Sequence, residues 1–77
     1  MVIFGIAHRE GEFNGQKYDN YMLSCMREAD VSKGEEGSIA EILKVSKLVF
    51  EESNVSVGQD ILPMYDKYGR IVRLDVL

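Results

Sequence analysis

The dipeptide Asn14-Gly15 constrains this chain more than any other feature. A two-residue type I′ turn needs positive φ at both central positions, and asparagine followed by glycine meets that need best. Such a turn ties two antiparallel strands into one register. Residues 2–8 before it, Val-Ile-Phe-Gly-Ile-Ala-His, are rich in β-branched and aromatic types and predict a strand. Residues 17–27 after it predict the partner strand. With Asn14-Gly15 as the loop, Phe13 faces Gln16, His8 faces Tyr21, Ile6 faces Leu23 and Phe4 faces Cys25. The last three pairs build an apolar face. The opposite face carries Ala7, Arg9, Gly11 and Phe13 with Gln16, Tyr18, Asn20 and Met22.

A second hairpin closes the chain. Asp66-Lys67-Tyr68-Gly69 has aspartate where a type I turn favours it and glycine where the left-handed residue follows. Strands are expected over 59–65 and 70–77. Pro63 falls inside the first of these, which predicts an edge strand or a bulge. Pairing Asp66 with Arg70 sets Met64 opposite Val72 and Leu62 opposite Leu74. The expected core face is then Leu62, Met64, Val72, Leu74 and Val76. Tyr65, Tyr68, Ile71 and Arg73 are expected to face outward.

Between the hairpins, residues 28–37 combine glycine with charge and predict a polar loop. Ile39, Ile42, Leu43, Val49 and Phe50 share one side of a helix, but Val45 and Leu48 fall off that stripe. A strand at about 39–46 followed by a helical turn at about 47–53 fits the pattern, with residues 54–58 as a connector. The 77 residues form one domain, 1–77, with a thin core.

Charge and cysteine narrow the functional classes. The net charge is −4, which weighs against phosphate binding, yet it is unevenly placed. Residues 1–27 balance to zero, 61–77 to +1 and 28–60 to −5. The single cysteine, Cys25, cannot form an internal disulfide and points to a reducing, cytoplasmic setting. No stretch reads as a signal peptide or a membrane span. Cys25 lies on the apolar face, where a free thiol is normally core. His8, the only histidine, is expected to pack beside Tyr21. One cysteine and one histidine cannot build a structural zinc site, and the acidic runs lack calcium-loop spacing. No phosphate-cradling glycine loop occurs. The expectation is a protein with no catalytic residues, no metal and no cofactor.

What remains is aromatic and basic. Arg9, Phe13, Lys17 and Tyr18 gather on the first hairpin. Tyr65, Lys67, Tyr68, Arg70 and Arg73 gather around the second turn. Single-strand binders use such sets: aromatic faces stack bases and cations follow the phosphates. The same residues could instead pack a protein partner, with Tyr65, Tyr68 and Ile71 closing a homodimer.

The order of three strands, a short helix and two strands matches the OB-fold, an all-β, five-stranded Greek-key barrel with its helix between strands 3 and 4. Two stretches carry a closer resemblance. Asn14-Gly15-Gln16-Lys17-Tyr18-Asp19-Asn20-Tyr21-Met22-Leu23-Ser24-Cys25 resembles the DNA-binding loop and second strand of the filamentous-phage gene V type of single-stranded DNA-binding protein. Val57-Gly58-Gln59-Asp60-Ile61, with Tyr68-Gly69-Arg70-Ile71-Val72-Arg73-Leu74, resembles that family's C-terminal hairpin. The resemblance covers about half the chain. It implies a dimeric, largely sequence-independent single-stranded DNA binder from a phage or mobile element. Arg9, Lys17 and Tyr18 would contact DNA, and Tyr68 would be the hairpin aromatic. Phe13, Arg70 and Arg73 complete the expected contact set. Glu10 and Glu12 depart from the family, standing where basic residues are expected. The alternative expectation is a protein-interaction module on the same small barrel, without nucleic-acid binding.

Overall fold

A computed structural model describes all 77 residues. The first hairpin pairs β1 (Val2–Phe13) with β2 (Gln16–Glu28), and β3 (Ser38–Ser46) pairs antiparallel with β2 on its other side. Helix α1 (Lys47–Ser53) follows directly. The second hairpin, β4 (Ile61–Tyr65) and β5 (Ile71–Val76), forms a separate two-stranded sheet. The protein is therefore mostly β with one short helix. The five expected strands are present in the expected order, but they form two sheets rather than a closed barrel. The join is narrow. Val2 bridges Asp60, Ile3 exchanges backbone hydrogen bonds with Gln59 and Gly58, and the amide of Ile61 donates to the carbonyl of Met1.

The first turn forms as its residue types dictate, with φ of 52° at Asn14 and 77° at Gly15. From there the register runs as expected: Phe13 with Gln16, His8 with Tyr21 and Ile6 with Leu23. It breaks at Phe4. A bulge between Ile3 and Gly5 makes Ile3, not Phe4, the partner of Cys25. One extra residue reverses the faces. Ile3 is fully buried, whereas Phe4 is 51% exposed.

The second hairpin departs in the same way. Asp66 and Arg70 pair at the turn, and Tyr65 pairs with Ile71. Val72 is then skipped, so Met64 faces Arg73, Pro63 faces Leu74 and Leu62 faces Asp75. Of the expected core face only Leu74 is buried. Leu62, Met64, Val72 and Val76 are exposed, and Ile61 supplies the other buried side chain of this hairpin. Ile71, expected to face outward, packs against the core. Pro63 sits where its missing N–H costs nothing between β4 and β5, because the amide two residues earlier, that of Ile61, points away from β5 to Met1.

The core holds eight buried residues: Ile3, Leu23, Cys25, Leu43, Val45, Val55, Ile61 and Leu74. Helix α1 covers one end of it. Ser46 caps the helix by accepting from the amide of Val49, and Asn54 ends it in a left-handed conformation. The helix brings Val49 and Phe50 onto the core, and Phe50 stacks on Tyr21 at 3.8 Å between ring centres. His8 stacks on the other side of Tyr21 at 4.5 Å. Its expected place beside Tyr21 is thus a three-ring column that ties the first hairpin to the helix.

Candidate nucleic-acid interface

Strand alternation sorts the charges of the first hairpin by face. The side facing away from α1 carries Gly5, Ala7, Arg9, Gly11 and Phe13 from β1. From β2 it carries Gln16, Tyr18, Asn20, Met22, Ser24, Met26 and Glu28, and from β3 Ser38, Ala40, Ile42, Lys44 and Ser46. Its one carboxylate, Glu28, stands at the end of β2 away from the hairpin tip. Glu10, Glu12 and Asp19 all lie on the opposite side, with His8 and Tyr21. Glu10 and Glu12, which stand where basic residues were expected, are therefore turned away from Arg9 and Tyr18 by the pleat itself.

A groove of about 520 Å³ runs over this outer face, lined by residues that include Arg9, Phe13, Lys17, Tyr18, Asn20 and Lys44. Lys17 stands opposite Glu12 in the register but reaches the groove at the hairpin tip. A second groove of about 640 Å³ separates β3 from the second hairpin, with Asn20, Lys44, Tyr65, Arg70 and Ile71 among its walls. Asn20 and Lys44 line both, so the two grooves meet there. Lys44 had no place among the residues singled out by sequence. Its signal lay in the pairing of Met22 with Lys44, which only a register for β3 supplies.

The cations of the two hairpins differ in their company. Arg70 pairs with Asp66 at 3.1 Å and Arg73 with Asp75 at 2.7 Å. Arg27 is gripped by Glu35 and Glu41, and Lys47 by Asp19 and Glu51. Arg9, Lys17, Lys44 and Lys67 have no carboxylate within 4 Å. Three of these four free cations line the first groove.

The aromatics differ as well. Tyr18 is 45% exposed and leans across the strand pair toward Gly11. Phe13 stands largely exposed beside the turn. Tyr68 is 70% exposed, but Lys67 lies 5.1 Å and Arg70 5.4 Å from its ring centre. Both cations therefore already use the electron-rich ring. Asp66 organises that turn. Its carboxylate accepts from the amides of Tyr68 and Arg70 at 2.8 and 3.0 Å and from the Arg70 guanidinium. The Arg70 amide, more than any other group, holds the Asp66 carboxyl below the usual carboxylate range. The expected DNA contacts thus divide. Arg9, Phe13, Lys17 and Tyr18 come together in one groove. Arg70 lines the other, together with Tyr65, which was expected at a dimer contact. Tyr68 belongs to the turn, and Arg73 pairs with Met64 and Asp75 on the outer side of the second hairpin.

Two further clusters stand outside the grooves. His8, Glu10 and Asp19 place ligand-type atoms within 4.8 Å of one another. Asp19 is engaged there on both oxygens, by His8 and by Lys47 at 3.8 Å. Arg27 donates to both oxygens of Glu35 and to Glu41, which pins the 28–37 loop against β2 and β3. The Arg27 contact holds the Glu35 carboxyl down at about 2. Cys25 is buried, and that burial pushes its thiol pKa up.

No helix is long and apolar enough to cross a membrane. Comparison of the chain with protein-family models, with curated proteins and with solved structures finds no match in any of the three.

Proposed function

We propose that this protein is a non-enzymatic, largely sequence-independent single-stranded DNA-binding protein, and that it binds along the outer face of β1, β2 and β3. One observation carries the proposal. Arg9, Lys17 and Lys44, none of them paired, share a groove with Phe13 and Tyr18, and no carboxylate lines it. A strand lying there finds cations for its phosphates and rings for its bases. Stacking on an aromatic contributes roughly 1–3 kcal/mol per base and tolerates any sequence. The meeting of the grooves at Asn20 and Lys44 extends the track toward Tyr65 and Arg70. The net charge of −4 opposes binding at long range, but it is carried mainly by residues 28–60. The strand and helix order is that of an OB-type barrel, and we read the two sheets as an open version of it.

The test is a titration with oligo(dT) at low salt, followed by tyrosine fluorescence in a chain without tryptophan. Binding should quench the signal and weaken with salt. At about 0.7 released ions per cation on single strands, three free cations give a log–log slope of about −2. Lys44→Gln should reduce that slope by about 0.7. No quenching and no salt-dependent association at 20 mM salt would remove the proposal.

A second property has its own support. The surface of 5638 Å² exceeds the roughly 4,700 Å² expected of a compact monomer of this mass. The excess goes with an elongated shape, 43 × 26 × 24 Å across. Leu62, Met64 and Val72 stand exposed on the second hairpin. We propose that a second copy covers them, and sedimentation equilibrium should return twice the 8.7 kDa chain mass.

A further inference from the structure

Glycine in a strand interior weakens the strand, and it is kept where a bulge, a left-handed turn or a close approach demands it. Gly11 lies inside β1, has no positive φ and is not at the bulge. What stands over it is the Tyr18 ring. A Cβ at Gly11 would stand 2.6 Å from Tyr18 Oη and 2.8 Å from Tyr18 Cζ, far inside contact distance. The distal end of the Tyr18 ring thus occupies the space a side chain would fill. Gly5 on the same face of β1 gives the contrast. A Cβ there meets Ser24 Cβ at 3.5 Å, an ordinary contact.

We propose that Gly11 is the positioning residue of the stacking site. By having no side chain it lets Tyr18 fold across the strand pair, and the ring so placed makes the outer face select unpaired bases over duplex. The proposal rests on the nucleic-acid function above. Its physical basis is the division of labour in the groove. Arg9, Lys17 and Lys44 meet phosphates, which single strands and duplexes both offer. A ring can stack only on a base whose face is free, and in a duplex that face is covered by neighbouring pairs. Lifting Tyr18 off Gly11 therefore removes the contact that tells the two apart and leaves the cations in place.

The experiment compares Gly11→Ala, Gly5→Ala and the unaltered protein on oligo(dT) and on a duplex of equal length. Tyr18 ring protons are followed by NMR. In the unaltered protein, nuclear Overhauser contacts should join the Tyr18 ring to Gly11 Hα. In Gly11→Ala the ring should move, oligo(dT) binding should fall about tenfold, and duplex binding should change less than twofold. The salt slope should stay as it was, because no cation is lost. Gly5→Ala should match the unaltered protein on both ligands. Tyr18→Leu, which keeps Gly11, should reproduce the selective loss even if Gly11→Ala folds poorly, and Tyr18→Phe should restore most of the binding. Equal losses on both ligands, or unchanged oligo(dT) binding by a folded Gly11→Ala, would overturn the role. Failure of the unaltered protein to bind oligo(dT) would overturn the nucleic-acid function itself, and would be recognised because the Gly11–Tyr18 contacts persist.

Discussion

The two hairpins begin alike and end differently. Each has a turn whose residues announce it, Asn14-Gly15 in one and Asp66 to Gly69 in the other. Each also carries one bulge that reverses the faces beyond it, at Phe4 and at Val72. In the first hairpin the bulge, at Phe4, lies far from the Asn14-Gly15 turn, beyond the stretch that carries Arg9 and Tyr18. In the second it comes immediately after the turn, so nearly the whole strand is affected. The consequence reaches the chemistry. The first hairpin presents unpaired Arg9 and Lys17 beside Tyr18. The second holds Arg70 and Arg73 in ion pairs and wraps Tyr68 in Lys67 and Arg70. Cations and aromatics of the same types, near turns of similar legibility, make a receptive surface in one place and a self-satisfied one in the other.

The largest effects should come from the bulges. Ile3→Ala and Leu74→Ala each remove a buried side chain from an eight-residue core and should cost about 2–5 kcal/mol in urea unfolding. Phe4→Ala and Val72→Ala, at exposed positions, should cost less than about 1 kcal/mol. A reversed order in either pair would place the register of that hairpin elsewhere.

The next contrast is between the two tyrosines. Tyr18→Leu should weaken oligo(dT) binding by roughly 1–3 kcal/mol, the contribution of one stacked base. Tyr68→Leu should change it by less than about 0.5 kcal/mol, since the Tyr68 ring already engages two cations and the alteration falls on exposed surface. Equal losses by fluorescence titration would make the second hairpin a full part of the site.

Much of this was legible in the chain, and the reasons for the rest are local. The Asn14-Gly15 turn specified which residues share the face of Arg9 and Tyr18, because alternation propagates a two-residue loop along both strands. Ser46 ended β3 and opened α1 within a residue of where the pattern changes. Pro63 announced an edge or a bulge in the second hairpin, but which residue is skipped was not legible in either. Burial decides it, by choosing Ile3 over Phe4 and Leu74 over Val72. Closure into a barrel also depends on long-range contacts, and here those reduce to a few bonds between Met1–Ile3 and Gly58–Ile61. Pairing between charges was equally hidden. The turn already set Asp66 opposite Arg70, but only the fold shows that the two are an ion pair and that no carboxylate reaches Arg9.

The smallest effect concerns acid. The Glu35 carboxyl sits at about 2 in the folded protein against an ordinary 4.5, and that of Asp66 is also lowered from 3.8. A depressed carboxyl stabilises the fold above its unfolded value and ceases to do so as pH falls through the folded one. The melting temperature should therefore hold steady down to about pH 4.5 and decline from there toward pH 2. Glu35→Gln should melt lower at pH 7 and show a shallower decline. Both carboxylates are screened by solvent, so the change should be modest.

The central claim is that single-stranded DNA lies on the outer face of the three-stranded sheet. Amide and side-chain NMR of the labelled protein titrated with oligo(dT) tests it most directly. The predicted result is perturbation of Arg9, Tyr18, Asn20 and Lys44, with Glu10, Glu12, Asp19 and His8 on the opposite face left largely in place. Perturbations centred on Glu10, Asp19 and His8, or confined to Tyr68, Arg70 and Arg73, would contradict it.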